Sequence, residues 1–138
     1  MTTYEIFEPK YPTADDCNIF MVMHDQSMAP KIEEGDFLNI WPSEDPDAID
    51  NGDIVVVEID GEYFVRRWQR YAKGEPSDMD VVALWPLNSK EFDGDCFLRK
   101  DFDQYSVLGV VQEARCIFDE DLKGEFYSFL ERYYDLRE

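Results

Sequence analysis

A chain of 138 residues suits one domain with a single core, and 44% hydrophobic with 15% aromatic residues is enough apolar surface to fill it, which argues against wholesale disorder. Asp and Glu number 32 against 13 Lys and Arg, a formal net charge of −19. So acidic a chain repels phosphate backbones and anionic membranes, so direct binding to nucleic acid or to a membrane is not expected. Two readings of the charge stay open: a well-solvated surface, or an acidic docking face that mimics the charge of nucleic acid.

In chain order, residues 1–17 carry Pro9 and Pro12 with little apolar periodicity and read as an extended N-terminal arm. The run 18–23, Asn-Ile-Phe-Met-Val-Met, reads as a buried strand. Gly35-Asp36 marks a turn into a second strand over 37–41, and a Pro-containing loop over 42–52 ends in an Asn51-Gly52 turn. Residues 54–59, Ile-Val-Val-Val-Glu-Ile, are the clearest strand because of their β-branched side chains. Asp60-Gly61 predicts a hairpin into 62–70. A polar loop over 73–80 leads to strands at 81–85 and 107–111. Leu122, Phe126, Phe129, Leu130 and Tyr133 then fall at helical spacing, with Asp119, Glu120 and Asp121 placed to favour the helix dipole. This predicts an amphipathic helix over 119–136, whose apolar stripe either caps the core or meets a partner groove. The expectation is a mainly β fold, a curled sheet or partial barrel, with an N-terminal arm (1–17), a β domain (18–117) and a C-terminal helix (118–138).

Cys17, Cys96 and Cys116 are far apart, none forms a CxxC pair, and His24 is the only histidine. No metal site and no cofactor are expected, and the scattered thiols are read as buried and reduced, as in a cytoplasmic protein. No apolar run approaches the ~20 residues of a spanning helix, and the first residues lack the basic and apolar regions of a signal peptide.

The chemistry is concentrated in Asp25-Gln26-Ser27-Met28-Ala29-Pro30, followed by Glu34-Gly35-Asp36. A serine in a turn directly after a buried strand is held at a sheet edge, where nearby backbone amides can meet an oxyanion. Alone, such a serine usually only bonds its own turn, and Asp25 reads first as an Asx turn. The wider order changes this: Ser27-Met28-x-Pro30, Gly35-Asp36, Asn51-Gly52-Asp53-Ile-Val-Val-Val, Gly61 to Val65-Arg66-Arg67-Trp68, Leu84-Trp85-Pro86-Leu87-Asn88, and Leu108-Gly109-Val110-Val111. Across residues 18–115 this series resembles the self-cleaving LexA/UmuD-like serine–lysine peptidases, the S24 type. The signal peptidases share its Ser-Met-x-Pro and Gly-Asp elements but are normally membrane anchored.

The resemblance implies a serine nucleophile at Ser27, an oxyanion region at the backbone of Met28, and a general-base lysine at the position held by Arg66. That departure matters. A lysine base works neutral, its pKa lowered by burial, whereas arginine, whose pKa lies far above neutrality, stays charged. Neutralising it at pH 7 costs about 9 kcal/mol. His24 and Lys73 offer no obvious replacement: three residues along a strand-to-turn segment need not aim His24 at Ser27, and Lys73 lies in a loop beyond the hairpin strand. Nor does an Ala-Gly or Cys-Gly bond, the cleavage site of the self-cleaving members, precede Ser27. The expected function is an S24-like domain that is catalytically inactive. It serves as a homodimer or protein-partner module in a DNA-damage or prophage setting, with a cleft able to hold an extended peptide. The alternatives are an active serine peptidase with a base other than lysine, and an acidic mimic of DNA.

Overall fold

The computed structural model describes residues 4–10, 18–43, 45–71, 80–98, 101 and 104–137. Cys17, Lys73 and most of the expected arm therefore lie outside the described residues. Nine antiparallel strands form one open sheet: β1 (Ile6–Pro9), β2 (Ile19–Val22), β3 (Phe37–Pro42), β4 (Ile54–Ile59), β5 (Glu62–Tyr71), β6 (Val81–Trp85), β7 (Asp95–Leu98), β8 (Ser106–Arg115) and β9 (Tyr134–Leu136). Their order across the sheet is β7-β6-β5-β4-β8-β3-β2-β1-β9, and one helix, α1 (Glu120–Tyr133), precedes the last strand. The fold is mainly β, as the sequence predicts.

Both faces of β4 are buried, which is why it reads as an unbroken apolar run rather than an alternation. Val56 joins a cluster with Ile6, Met21, Met28, Leu38, Ile40 and Val65. Val55 and Val57 face the other way, onto Trp68, Leu84, Tyr105 and Val107. The Asp60-Gly61 turn has both residues at positive φ, 52° and 81°, and sets the register in which Val55 opposes Arg66.

β8 is longer than expected because it pairs with β4 along its first half and with β3 along its second. Gly109 stands where the two pairings overlap. A Cβ there would collide with the Trp41 carbonyl oxygen and lie 2.7 Å from Ile40 Cγ2. Backbone cannot yield as a side-chain tip does, so Gly109→Ala is expected to cost about 1–3 kcal/mol. A urea midpoint matching the parent's would show that β3 and β8 are less tightly apposed.

Three expectations need correction. Within the N-terminal arm, Ile6–Pro9 is a sheet strand with Ile6 and Phe7 buried; four residues ending in a proline are too short to show a period. The helix stops at Tyr133 rather than 136, because Tyr134–Leu136 completes the exposed edge of β1, pairing Phe7 with Leu136 and Pro9 with Tyr134. Its start is as predicted: Asp119 is the N-cap, and its carboxylate accepts from the N–H groups of Asp121 and Leu122. Leu130 is buried with Phe7 and Phe37, and Phe126 packs beside Phe20 and Phe37, so part of the apolar stripe covers β1–β3. Cys96 and Cys116 are free and exposed, not buried, since one lies on the edge strand β7 and the other in the loop after β8. Among the described residues, no helix is long and apolar enough to cross a membrane.

Candidate functional site

The turn after β2 is built from short-range bonds. Asp25 Oδ1 accepts from the Ser27 N–H at 3.0 Å, the Asx geometry its sequence suggests, and also from Ser27 Oγ at 2.6 Å. The base of the turn is closed by Met23 N–H to Asp36 C=O and Gly35 N–H to Met23 C=O, both 2.8 Å; Gly35 adopts φ 94°, which a side chain would resist. Ser27 has 0% of its surface exposed. Met28 is buried too, its Sδ accepting from the Leu87 N–H at 3.4 Å and its carbonyl from Ile32 N–H at 3.0 Å.

The segment after β6 locks this turn from outside. Asn88 N–H donates to the Ser27 carbonyl at 2.9 Å, and Asn88 Nδ2 donates to the Gln26 carbonyl at 3.1 Å. Asn88 lies in the sequence motif Leu84-Trp85-Pro86-Leu87-Asn88, but its role emerges only from a contact sixty residues away in the chain.

Arg66 enters from β5 with 4% of its surface exposed. Nη1 donates to the Val65 carbonyl at 2.9 Å, the guanidinium sits 5.2 Å from the Phe64 ring centre, and Nε is buried with no hydrogen-bond partner. Ser27 and Arg66 share no hydrogen bond. What connects them is Asp25, which holds the serine hydroxyl and lies in the field of the guanidinium, as does Asp95. Burial nevertheless lowers the Arg66 pKa from its ordinary value, outweighing the two carboxylates.

His24 completes the cluster, with Nε2 3.5 Å from Asp25 Oδ2 and its ring edge-on to Tyr4 at 4.8 Å. Burial lowers its pKa below 6.5; Asp25 opposes this and Arg66 reinforces it. A folded-state pKa below the unfolded value means the unfolded chain takes up the proton first. Stability is then full above about pH 6.5 and declines as pH falls toward the lower folded pKa. His24→Gln is expected to flatten this part of the stability–pH curve in urea titrations at pH 7.5 and 5.5; an unchanged slope would place the dependence on other groups.

The order of groups is informative. In a serine triad the histidine stands between hydroxyl and carboxylate. Here the carboxylate stands between, taking the hydroxyl on one oxygen and facing the imidazole with the other. A carboxylate is a weak base for a serine hydroxyl, and Asp25 holds Ser27 Oγ in a donor role. A cavity of about 560 Å³ lies elsewhere, between Glu58, Tyr63, Ser106 and Arg137. Among the described residues, no group of three or more His, Cys, Asp or Glu side chains is arranged to hold a metal ion.

No curated protein matches the sequence. The family model Peptidase S24-like matches residues 2–111, a span that contains the Ser27 turn, the β4–β5 hairpin with Arg66, and β8 as far as Val111. That match covers most of the chain, and with the nine-stranded sheet and the Ser27 turn it establishes that this protein belongs to the Peptidase S24-like family.

Proposed function

We propose that this S24-like domain is catalytically silent and serves as a protein-partner module, in the DNA-damage or prophage setting that its family resemblance implies. The observation that carries the reading is the Ser27–Asp25 bond of 2.6 Å beside a buried, permanently charged Arg66. The hydroxyl proton is held by a weak base, and the cation at the family's lysine position has no lone pair to accept it. The absence of exposed surface on Ser27 supports the same reading. The cytoplasm is the compartment proposed.

The experiment is incubation of the whole protein at pH 10, where a lysine base would be most active, with intact-mass measurement and a small serine-directed fluorophosphonate. The expected result is an uncut, unlabelled chain. A discrete cut or label that disappears on Ser27→Ala would overturn silence. One observation favours that rival reading: His24 is kept neutral by burial inside the same cluster, and a neutral imidazole is a competent base. If His24 performs that role, His24→Gln abolishes the reaction as Ser27→Ala does.

A further inference from the structure

The end of β8 and the start of α1 leave an apolar groove that none of the described residues covers. Phe118 is 88% exposed and Leu122 56% exposed. They line a depression of about 490 Å³ with Ile117, Phe126, Asp119 and Glu125. A second hollow of about 180 Å³ continues from it, sharing Arg115, Ile117 and Phe126, and reaching in to Phe20, Phe37, Asn39 and Glu113.

The inner hollow is formed by three phenylalanines set edge to face, with Phe126 4.8 Å from Phe37 and 5.5 Å from Phe20 between ring centres. Besides Arg115, its polar side chains are Asn39 and Glu113. Asn39 Oδ1 is buried without a hydrogen-bond partner, and Glu113 contributes a carboxylate. Aromatic faces, the unfilled Asn39 oxygen and a carboxylate suit a cation with N–H donors. The one cation already there, Arg115, is engaged by Glu113 at 2.6 Å in an exposed pair, and such pairs contribute little and exchange readily.

The outer groove carries Asp119 and Glu125 beside its apolar floor, with Arg115 where it meets the inner hollow, and the chain as a whole has a net charge of −19. A second copy would bring the same negative rim against this one, and an anionic membrane would be repelled. Charge complementarity selects the opposite occupant. We propose that this groove binds a cationic amphipathic segment of another protein, with apolar side chains over Phe118 and Leu122 and one lysine or arginine entering the phenylalanine-lined hollow. Most of its lining, Glu113 to Phe126, lies beyond the 2–111 family match and packs against Phe20, Phe37 and Asn39 within it. The inference deepens the partner-module reading by naming the surface and the partner's chemistry, and it does not depend on whether Ser27 reacts.

The test uses the full chain and a fluorescent 14-residue peptide of leucine, lysine and alanine, with leucine at i, i+3, i+4 spacing. Two control peptides replace lysine by glutamate or by the uncharged norleucine. Anisotropy titrations are run at two salt concentrations, with sedimentation velocity on the protein alone. The lysine peptide is expected to bind, more weakly at higher salt, and both controls to bind at least about tenfold more weakly. The exposed-site variant Phe118→Ser with Leu122→Ser should lose about tenfold in affinity without a change in thermal midpoint, and Glu113→Gln a smaller factor. Binding that is indifferent to these substitutions, equal binding of the glutamate or norleucine peptide, or no binding at all would overturn the proposal. So would a dimer of the protein alone that dissociates in the Phe118→Ser, Leu122→Ser variant, which would assign the groove to a second copy. Failure of the peptide leaves the Ser27 result untouched, so the two readings fail separately.

Discussion

Replacing Arg66 by lysine is expected to raise the labelling rate of Ser27 by a small-molecule fluorophosphonate, by between about 10² and 10⁴. Residue 66 is buried, so a shorter side chain with a titratable amine sits where desolvation favours its neutral form. The two carboxylates in the field of that position oppose this. Asp25 and Asp95 both favour a charged side chain at 66, and Asp25 also engages the Ser27 hydroxyl. The single variant should therefore gain most of its rate at alkaline pH. Adding Asp25→Asn should move the gain toward neutral pH, because the amide oxygen still accepts from Ser27 while its charge is gone. Ser27 has no exposed surface, so reagent reaches it only through local opening. Parent and variant share that step, so their rate ratio isolates the base. Equal labelling in parent, Arg66→Lys and the double variant would mean that residue 66 does not act on Ser27, and the family's site would not be carried by this pair.

Much of this site is legible from residue order because it is local. The Asp25–Ser27 turn, the Asp60-Gly61 hairpin and the β-branched run of β4 each declare themselves within ten residues, and the hairpin register alone puts Arg66 opposite Val55. What the sequence withholds is long-range. Asn88 reads as a loop amide until it is seen holding the carbonyls of Ser27 and Gln26. His24 has the residue type of a base, yet its burial against Tyr4 and its position on the far side of Asp25 arise from packing. The strands β1, β7 and β9 have three or four residues each, too few for a periodicity, and β9 exists because β1 offers it an edge. The helix stripe declares its period but not its division into Phe126 and Leu130, which pack on the sheet, and Phe129 and Tyr133, which remain substantially exposed.

Arg66→Met is expected to stabilise the fold, by about 1–4 kcal/mol in urea unfolding. A guanidinium offers five N–H donors, and a buried one left incompletely bonded carries a desolvation cost that nearby charge must offset. Here Nη1 reaches the Val65 carbonyl, Nε reaches nothing, and among the described residues no carboxylate pairs with the group directly. The lowered pKa has burial as its largest cause, so the charged form is on balance disfavoured where it sits, despite Asp25, Asp95 and the Phe64 ring. Because even a lowered arginine pKa lies far above neutrality, the cost is present at every ordinary pH rather than within a titration window. Methionine keeps comparable length and flexibility without the charge. Arg66→Ala separates volume from charge, since it removes the same cation but leaves a void and should destabilise. The remaining question is what Asp25 gains from its neighbour. In a double-mutant cycle of Arg66→Met with Asp25→Asn, a coupling of about 0.5–3 kcal/mol would show the two charges acting as one unit around Ser27. If Arg66→Met is as destabilising as Arg66→Ala, the guanidinium is a net structural contributor, and its burial stabilises the turn that holds the serine.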